Sequence, residues 1–186
     1  MKSIASWRLA DVVRLAVVAS VLGTLWFGWT FAYEAFKGPL KALHPGLKYL
    51  LVGFWFTGGT IIPYLVRKPG AALLGELFAA GVEALVTQWG WTALLWGLVQ
   101  GAGSELAFAA TGYKRWTAPV LMLSGGLAGL CSWGLDFFYE NYTALAPDVW
   151  LVQAFASIAS GAVLAGLLAW ALGKALERAG VRPSVA

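Results

Sequence analysis

The stretch "ELFAAGVEALVTQWGWTALLWGLVQGAGSELAF", Glu76–Phe108, consists of two apolar runs joined by the short turn "QWGW". Each run is close to the length of a membrane-crossing helix, yet together they carry Glu76, Glu83, Gln88, Gln100 and Glu105. A carboxylate in hydrocarbon costs about 2.5–3.5 kcal/mol on insertion scales, so such residues are expected to face the interior of a bundle and to have a function there. The brevity of the turn makes the two helices antiparallel neighbours. At a rise of ~1.5 Å per residue, Glu83 lies roughly 6 Å and Glu76 roughly 17 Å from the turn end of the first helix, and Gln100 and Glu105 roughly 12 and 20 Å down the second. Glu76 and Glu105 therefore come to similar depth.

The rest of the chain supports a membrane setting. Of 186 residues, 60% are hydrophobic and 12% charged, mean hydropathy is +0.72, and there are 11 Trp. Soluble domains of this size do not have that balance. Apolar runs near the ~20 residues needed to cross a bilayer recur along the whole length, leaving no room for a separate soluble domain. The expected architecture is all-α: one integral membrane domain over residues 1–186, a bundle of six transmembrane helices at about 11–35, 47–66, 70–87, 92–113, 117–140 and 147–176. The breaks are marked by "FKGPLKALHPG", "RKPG", "QWGW", "GYKRW" and "NYTALAPD". The N-terminal apolar run is too long for a signal peptide's core and is expected to be retained.

Charge sets orientation. Lys2, Arg8, Arg14, Arg67, Lys68, Lys114, Arg115, Lys174, Arg178 and Arg182 fall on one side, and Lys37, Lys41 and Lys48 on the other. Both termini are therefore expected to be cytoplasmic. The basic residues sit between apolar runs rather than on one folded face, which argues for topology and against nucleic-acid binding. Cys131 is the single cysteine, so neither a disulfide framework nor a Cys-rich metal site is expected. Asp11 and Arg14 read as a local ion pair, and the lone histidine, His44, as a surface residue.

Polar and aromatic stripes converge on the outer half of the bundle. The first helix offers Trp26, Trp29 and Tyr33, and the fifth offers Trp133, Asp136 and Glu140, both at i, i+3 and i+7. Glu34, Gln88, Trp89, Trp91, Asn141, Tyr142, Trp150 and Gln153 fall at the same level. Acidic groups with flat aromatic faces suit a cationic or amine-bearing aromatic ligand. Glu83 and Gln100 are the main ligand candidates, whereas Glu76 and Glu105 either join them or link helices by hydrogen bonds. Trp7, Trp55, Trp116, Trp150 and Trp170 are expected as interfacial anchors. The chain contains no phosphate loop, HExxH pair or GxSxG elbow, so no catalytic residue, metal or cofactor is assigned, and ATP hydrolysis is not expected of this chain. From the residues alone, the alternative is a permease working by itself, coupled to protons or cations through Glu76 and Glu105.

The run "RKPGAALLGELFAAGVEALVTQWGWTALLWGLVQGAGSELAFAATGYKRW", Arg67–Trp116, resembles the YkoE family, the hydroxymethylpyrimidine/thiamin-type S components of energy-coupling factor (ECF) transporters. The resemblance covers most of the chain. It implies a six-helix substrate-binding subunit of an ABC-type importer in the plasma membrane of a prokaryote, driven by a transmembrane coupling (T) protein and separate ATPase subunits. On that resemblance the ligand is thiamin or hydroxymethylpyrimidine. Glu83 and Gln100 would hold the pyrimidine, and Trp26, Trp29, Tyr33 and Trp133 would form walls. Asp136 or Glu140 would balance a thiazolium, with Trp89, Asn141 and Glu105 completing the candidate set. Family members dock through small residues of the first helix, which here makes Ala16, Ala19, Ser20 and Gly23 the candidates, with Ser20 where a strict Ala-xxx-Ala pattern would have alanine.

Overall fold

In the computed structural model, which describes residues 7–184, the chain is all-helical among the described residues. Helix α1 spans Leu9–Leu43. A 3-10 helix, Pro45–Phe56, then leads through Thr57 into α2, Gly58–Val66. Next come α3, Ala71–Ala84, and α4, Ala93–Ala110, joined through a 3-10 turn at Gly90–Thr92. Helix α5 is Ala118–Tyr139. The last rod consists of α6, Pro147–Ser160, a π-wound stretch, Gly161–Leu167, and α7, Leu168–Arg178.

Among the described residues, four rods are long and apolar enough to cross a membrane: Leu9–Leu43, Pro45–Val66, Ala118–Tyr139 and Pro147–Arg178. The α3–α4 hairpin is shorter, with helices of 14 and 18 residues, because the chain leaves α-geometry at Leu85 rather than at the expected Thr87. Helix α1 runs eight residues beyond its expected end and is about 52 Å long, well over a ~30 Å hydrocarbon core. Its added turns contain Gly38 and Pro39; they are tolerated because this end is largely exposed, so no packed neighbour is disturbed.

The bundle buries an apolar core, including Ile61, Ile62, Phe108 and Leu121, with polar side chains set into it, and presents apolar side chains outside. Glu76, Ser104, Ser124, Ser132, Ser157 and Ser160 are buried, while Val13, Val17, Val21, Leu25 and Phe31 of α1 are exposed. Buried hydroxyls bond to backbone carbonyls of other helices: Ser157 Oγ donates to Gly129 O (2.9 Å) and Thr60 Oγ1 to Ala165 O (3.1 Å). In hydrocarbon, such internal partners replace water. Helix α5 and the last rod meet along a seam of small residues. A Cβ on Gly125 would stand 2.0 Å from the Gly161 carbonyl oxygen, and one on Gly129 2.4 Å from that of Ser157.

The first turn of α1, the end of α2 and the C-terminal tail meet at one end. Asp11 and Arg14 do not pair directly as expected. Arg14 Nη1 donates to Ser184 Oγ (2.8 Å), which donates to Asp11 Oδ1 (2.7 Å), while the Ser184 amide bonds Leu65 O. Arg67 and Lys174 join the same end through Glu177, whereas Lys37 and Lys48 border a cavity at the other. Lys2 lies outside the described residues.

The seam gives a direct test. Gly125→Val forces a side chain against backbone and should destabilise the solubilised protein by about 1–3 kcal/mol, read as a lowered thermal midpoint. Gly134→Ala, on the same helix with nothing within 4 Å of the new Cβ, should be neutral or raise stability by up to about 1 kcal/mol.

Candidate functional site

A cavity of about 510 Å³ opens at the end of the bundle opposite the two termini. Its walls come from the C-terminal turns of α1, α3 and α5, the 3-10 helix, and the N-terminal half of α4. Two carboxylates dominate it.

Glu83 projects from the last turn of α3 and is 5% exposed. Its Oε1 accepts from Trp55 Nε1 at 2.8 Å, and among the described residues no protein group donates to Oε2. On the neighbouring α4, Gln100 Nε2 donates to Ser132 Oγ (3.0 Å), which fixes the amide and leaves its oxygen as an acceptor. Asp136 is held at both oxygens: Trp96 Nε1 donates to Oδ1 at 2.7 Å and the Tyr49 hydroxyl to Oδ2 at 3.2 Å. The Tyr142 hydroxyl backs that of Tyr49. Donors aimed at a carboxylate hold it in one orientation, with its charge available to a cation in the cavity.

Aromatic rings line the space between these groups. Tyr33 meets Trp55 edge-on, ring centroids 5.3 Å apart, and Trp96 meets Tyr139 likewise at 4.8 Å. Trp26, almost fully buried, forms part of the wall and donates to Thr57 Oγ1 (2.9 Å). Lys37 sits at the rim, paired with Glu34 at 2.6 Å.

Of the residues read from the sequence, the cavity gathers Glu83, Gln100, Trp26, Tyr33, Asp136, Glu140 and Trp89, with Glu34, Gln88 and Tyr142. Trp29, Trp133, Asn141 and Glu105 lie off its wall. Residues seven apart on an α-helix differ by only about 20° in direction, whereas residues three apart differ by about 60°. Trp26 and Tyr33 therefore share the cavity face, while Trp29 turns aside, stacks on Phe54 (4.6 Å) and donates to Leu51 O. Trp133 is displaced from Asp136 in the same way and packs with Phe137 and Trp150. Asn141 is exposed in a left-handed turn, φ 53°, and accepts from Thr143. Glu105 accepts from the amides of Gly70, Ala72 and Leu73 at 2.6–3.1 Å, capping the start of α3. It therefore sits about one turn away from the level expected for it beside Glu76. Glu76, fully buried, accepts from the Gly59 amide instead. Both glutamates link helices rather than line the cavity.

Several wall residues escaped the sequence reading. Trp55, expected as an interfacial anchor, is the donor to Glu83. Trp96 lies one turn before Gln100, and Ser132 and Tyr139 lie at i−4 and i+3 of Asp136, so a full face count around the polar residues contains the signal for all three. Tyr49 and Trp55 depend on a winding that the sequence pattern did not disclose. His44 is more than surface: its Nδ1 accepts from Gly46 N (3.1 Å), capping the 3-10 helix.

Of the small residues of α1, Ala19 is buried, and Gly23 is packed so closely that a Cβ would lie 2.5 Å from the Ala79 carbonyl oxygen. Ser20 is exposed and donates to Ala16 O; Thr24 and Gly28 continue the outward face at i+4 spacing. Ala16 borders an apolar groove between α1 and α3.

Comparisons agree with this architecture. The family model for the permease component of an ABC-type cobalt transport system matches residues 10–131. A protein of Bacillus subtilis (strain 168), YkoE, whose name assigns it as an HMP/thiamine permease, is 35% identical over 178 residues, covering 95% of this chain and 87% of its own. A solved structure described as an S-component of ECF transporter superposes with a TM-score of 0.84 at 35% identity, covering 95% of this chain and 88% of that one.

The Asp136 cluster yields a stability prediction. Trp96→Phe and Tyr49→Phe remove donors from opposite oxygens of one carboxylate, so their effects should couple by about 0.5–3 kcal/mol in a double-mutant cycle of denaturation in detergent. Additivity within about 0.5 kcal/mol would show that the two donors act independently.

Proposed function

The chain belongs to the YkoE family of S components of ECF transporters, a multi-pass membrane protein of a transport system, and on that basis we propose that it captures thiamin or its hydroxymethylpyrimidine precursor in the cavity bordered by Glu83 and Asp136. The observation that carries this reading is the division of labour at Glu83: one oxygen is tied to Trp55 and the other is left to the cavity, which a fixed Gln100 also lines. An aminopyrimidine supplies the missing donors to these oxygens through its exocyclic amine, and a ring nitrogen can accept from the second hydrogen of the Gln100 amide nitrogen. Trp26, Trp55 and Trp96 cover flat rings. Asp136 supplies a fixed negative charge for a thiazolium, which hydroxymethylpyrimidine lacks, with Glu140 beside it at the rim.

The cobalt in the family model's description finds less support in the residues. Among the described residues, no three His, Cys, Asp or Glu side chains come together as metal ligands, while aromatic rings beside carboxylates favour an organic cation.

The whole chain forms one domain in this reading, with six spans once the α3–α4 hairpin and its turns are counted, in the plasma membrane of a prokaryote. Both termini face the cytoplasm, following the Lys and Arg distribution, and the cavity opens outside. Transport energy comes from a T protein and ATPase subunits. Docking uses the outward face of α1, with Ser20, Thr24 and Gly28 exposed and Ala16 half-buried at its edge for close helix contact; Ala19 and Gly23 support that helix from within.

Titration of the purified protein with thiamin and with hydroxymethylpyrimidine, followed by Trp fluorescence, tests the ligand assignment. Saturable quenching is expected with both. Glu83→Gln should weaken both by about ten- to a hundredfold, the worth of a hydrogen bond to a charged group. Asp136→Asn should weaken thiamin by about tenfold and hydroxymethylpyrimidine by less than about threefold. A folded protein that binds neither compound would remove the vitamin assignment. Cells expressing this chain should take up labelled thiamin only when T protein and ATPase subunits are co-expressed; uptake by the chain alone would favour a self-sufficient permease.

A further inference from the structure

Pro45–Phe56 is a 3-10 helix of 12 residues, far beyond the three or four to which such winding is usually confined. At three residues per turn, residues i, i+3 and i+6 eclipse one another. Tyr49, Val52 and Trp55 have this spacing, and all three line the cavity. Wound as an α-helix, the same residues would step round by about 60° each, carrying Trp55 about 120° away from the face of Tyr49. The winding is therefore what allows Tyr49 to reach Asp136 while Trp55 reaches Glu83.

One buried side chain grips this segment from outside the cavity, and a second holds the start of α2 that follows it. Ser160, at the end of α6, accepts from the Gly53 amide (2.8 Å) and donates to the Leu50 carbonyl (2.7 Å). Leu50 O and Gly53 N are an i, i+3 pair, the pair that defines 3-10 winding, so one hydroxyl bridges both members of that register. Gly53 is needed for the approach, since a Cβ there would stand 2.2 Å from the Ser160 carbonyl oxygen. At the other end, Glu76 accepts from the Gly59 amide in the first turn of α2, just where the tight winding gives way to α-geometry. That amide is one of the four a helix N-terminus leaves without an internal partner. Glu76 is packed against Gly58 on this side and Gly101 of α4 on the other.

We propose that Ser160 and Glu76, neither of which touches the cavity, are positioning residues for ligand capture: they hold Pro45–Phe56 in the 3-10 winding that sets Tyr49, Val52 and Trp55 in one column on the cavity wall. The link to affinity rests on the ligand reading above; the link to winding does not, and the test separates them.

Spin labels at Leu50 and Leu95, both about 40% exposed, in a Cys131→Ser background, report the position of the segment against α4 by pulsed dipolar spectroscopy. Wild-type protein should give one narrow distance distribution with and without thiamin. Ser160→Ala should broaden it or shift it by up to about 6 Å, the difference in rise between 3-10 and α winding over 12 residues. It should also weaken thiamin binding by about tenfold or more, as should Glu76→Leu. Glu76→Gln keeps an acceptor for the Gly59 amide and should bind within about threefold of wild type. An unchanged distribution in Ser160→Ala, whatever its affinity, would overturn the proposal. So would a broad distribution in ligand-free wild type that narrows only with thiamin, a measurement that needs no variant to fold. A wild type with a narrow distribution and no thiamin binding would instead sink the ligand assignment.

Discussion

A polar group inside a bundle surrounded by hydrocarbon has no water to fall back on, and must find its partner within the protein. In this chain that constraint sorts the acidic and hydroxyl side chains into two kinds. Glu105 spends both oxygens on three amides at the start of α3, Glu76 takes up an amide of α2, and Ser157 and Thr60 reach carbonyls across helix seams. These groups hold helices in register. Glu83 and Gln100 are the other kind: the protein fixes each through one atom and leaves a second acceptor facing open space. An acceptor held rigid but unused, beside aromatic rings, is what a binding site needs before its ligand arrives, because little ordering remains to oppose binding.

Much of this was legible in the residues. Apolar length and Gly, Pro and charge at the breaks gave the helical segments, because these signals are local. Glu83, Gln100 and Asp136 stood out because a carboxylate or amide in an apolar run is costly wherever the run folds. Directions round each helix were harder. Trp29 and Trp133 share a stripe with true wall residues when judged by spacing alone, yet a 60° difference is enough to turn a ring from the cavity into a neighbouring seam. Glu105 illustrates a second limit: its depth was read from its own helix, but its partner is the beginning of α3, whose position depends on the left-handed residues at Arg67 and Gly70.

Irregular winding was the part the sequence hid. Nothing in "PGLKYLLVGFWF" distinguishes a 3-10 helix from an α-helix by composition, and the deciding contacts come from residues far along the chain, Ser160 above all. The same holds for the π-wound stretch that follows Ser160, where Gly161 and Gly166 lie against the backbone of α5. In both places backbone meets backbone, so geometry is set by which helix approaches rather than by local preference.

This division has a consequence for how such a bundle binds and releases its ligand. The α3–α4 hairpin brings the acceptors and is regular, tightly packed and anchored at its base by Glu105. The opposing wall is built on a 3-10 winding that, in the proposal above, a hydroxyl and a carboxylate hold in place. If the winding depends on Ser160 as proposed, a displacement of α6 that withdraws Ser160 from Gly53 would cost the column of Tyr49 and Trp55 its register with Asp136 and Glu83. Affinity then falls without any change in the groups that touch the ligand, because the acceptors remain while their companions rotate away.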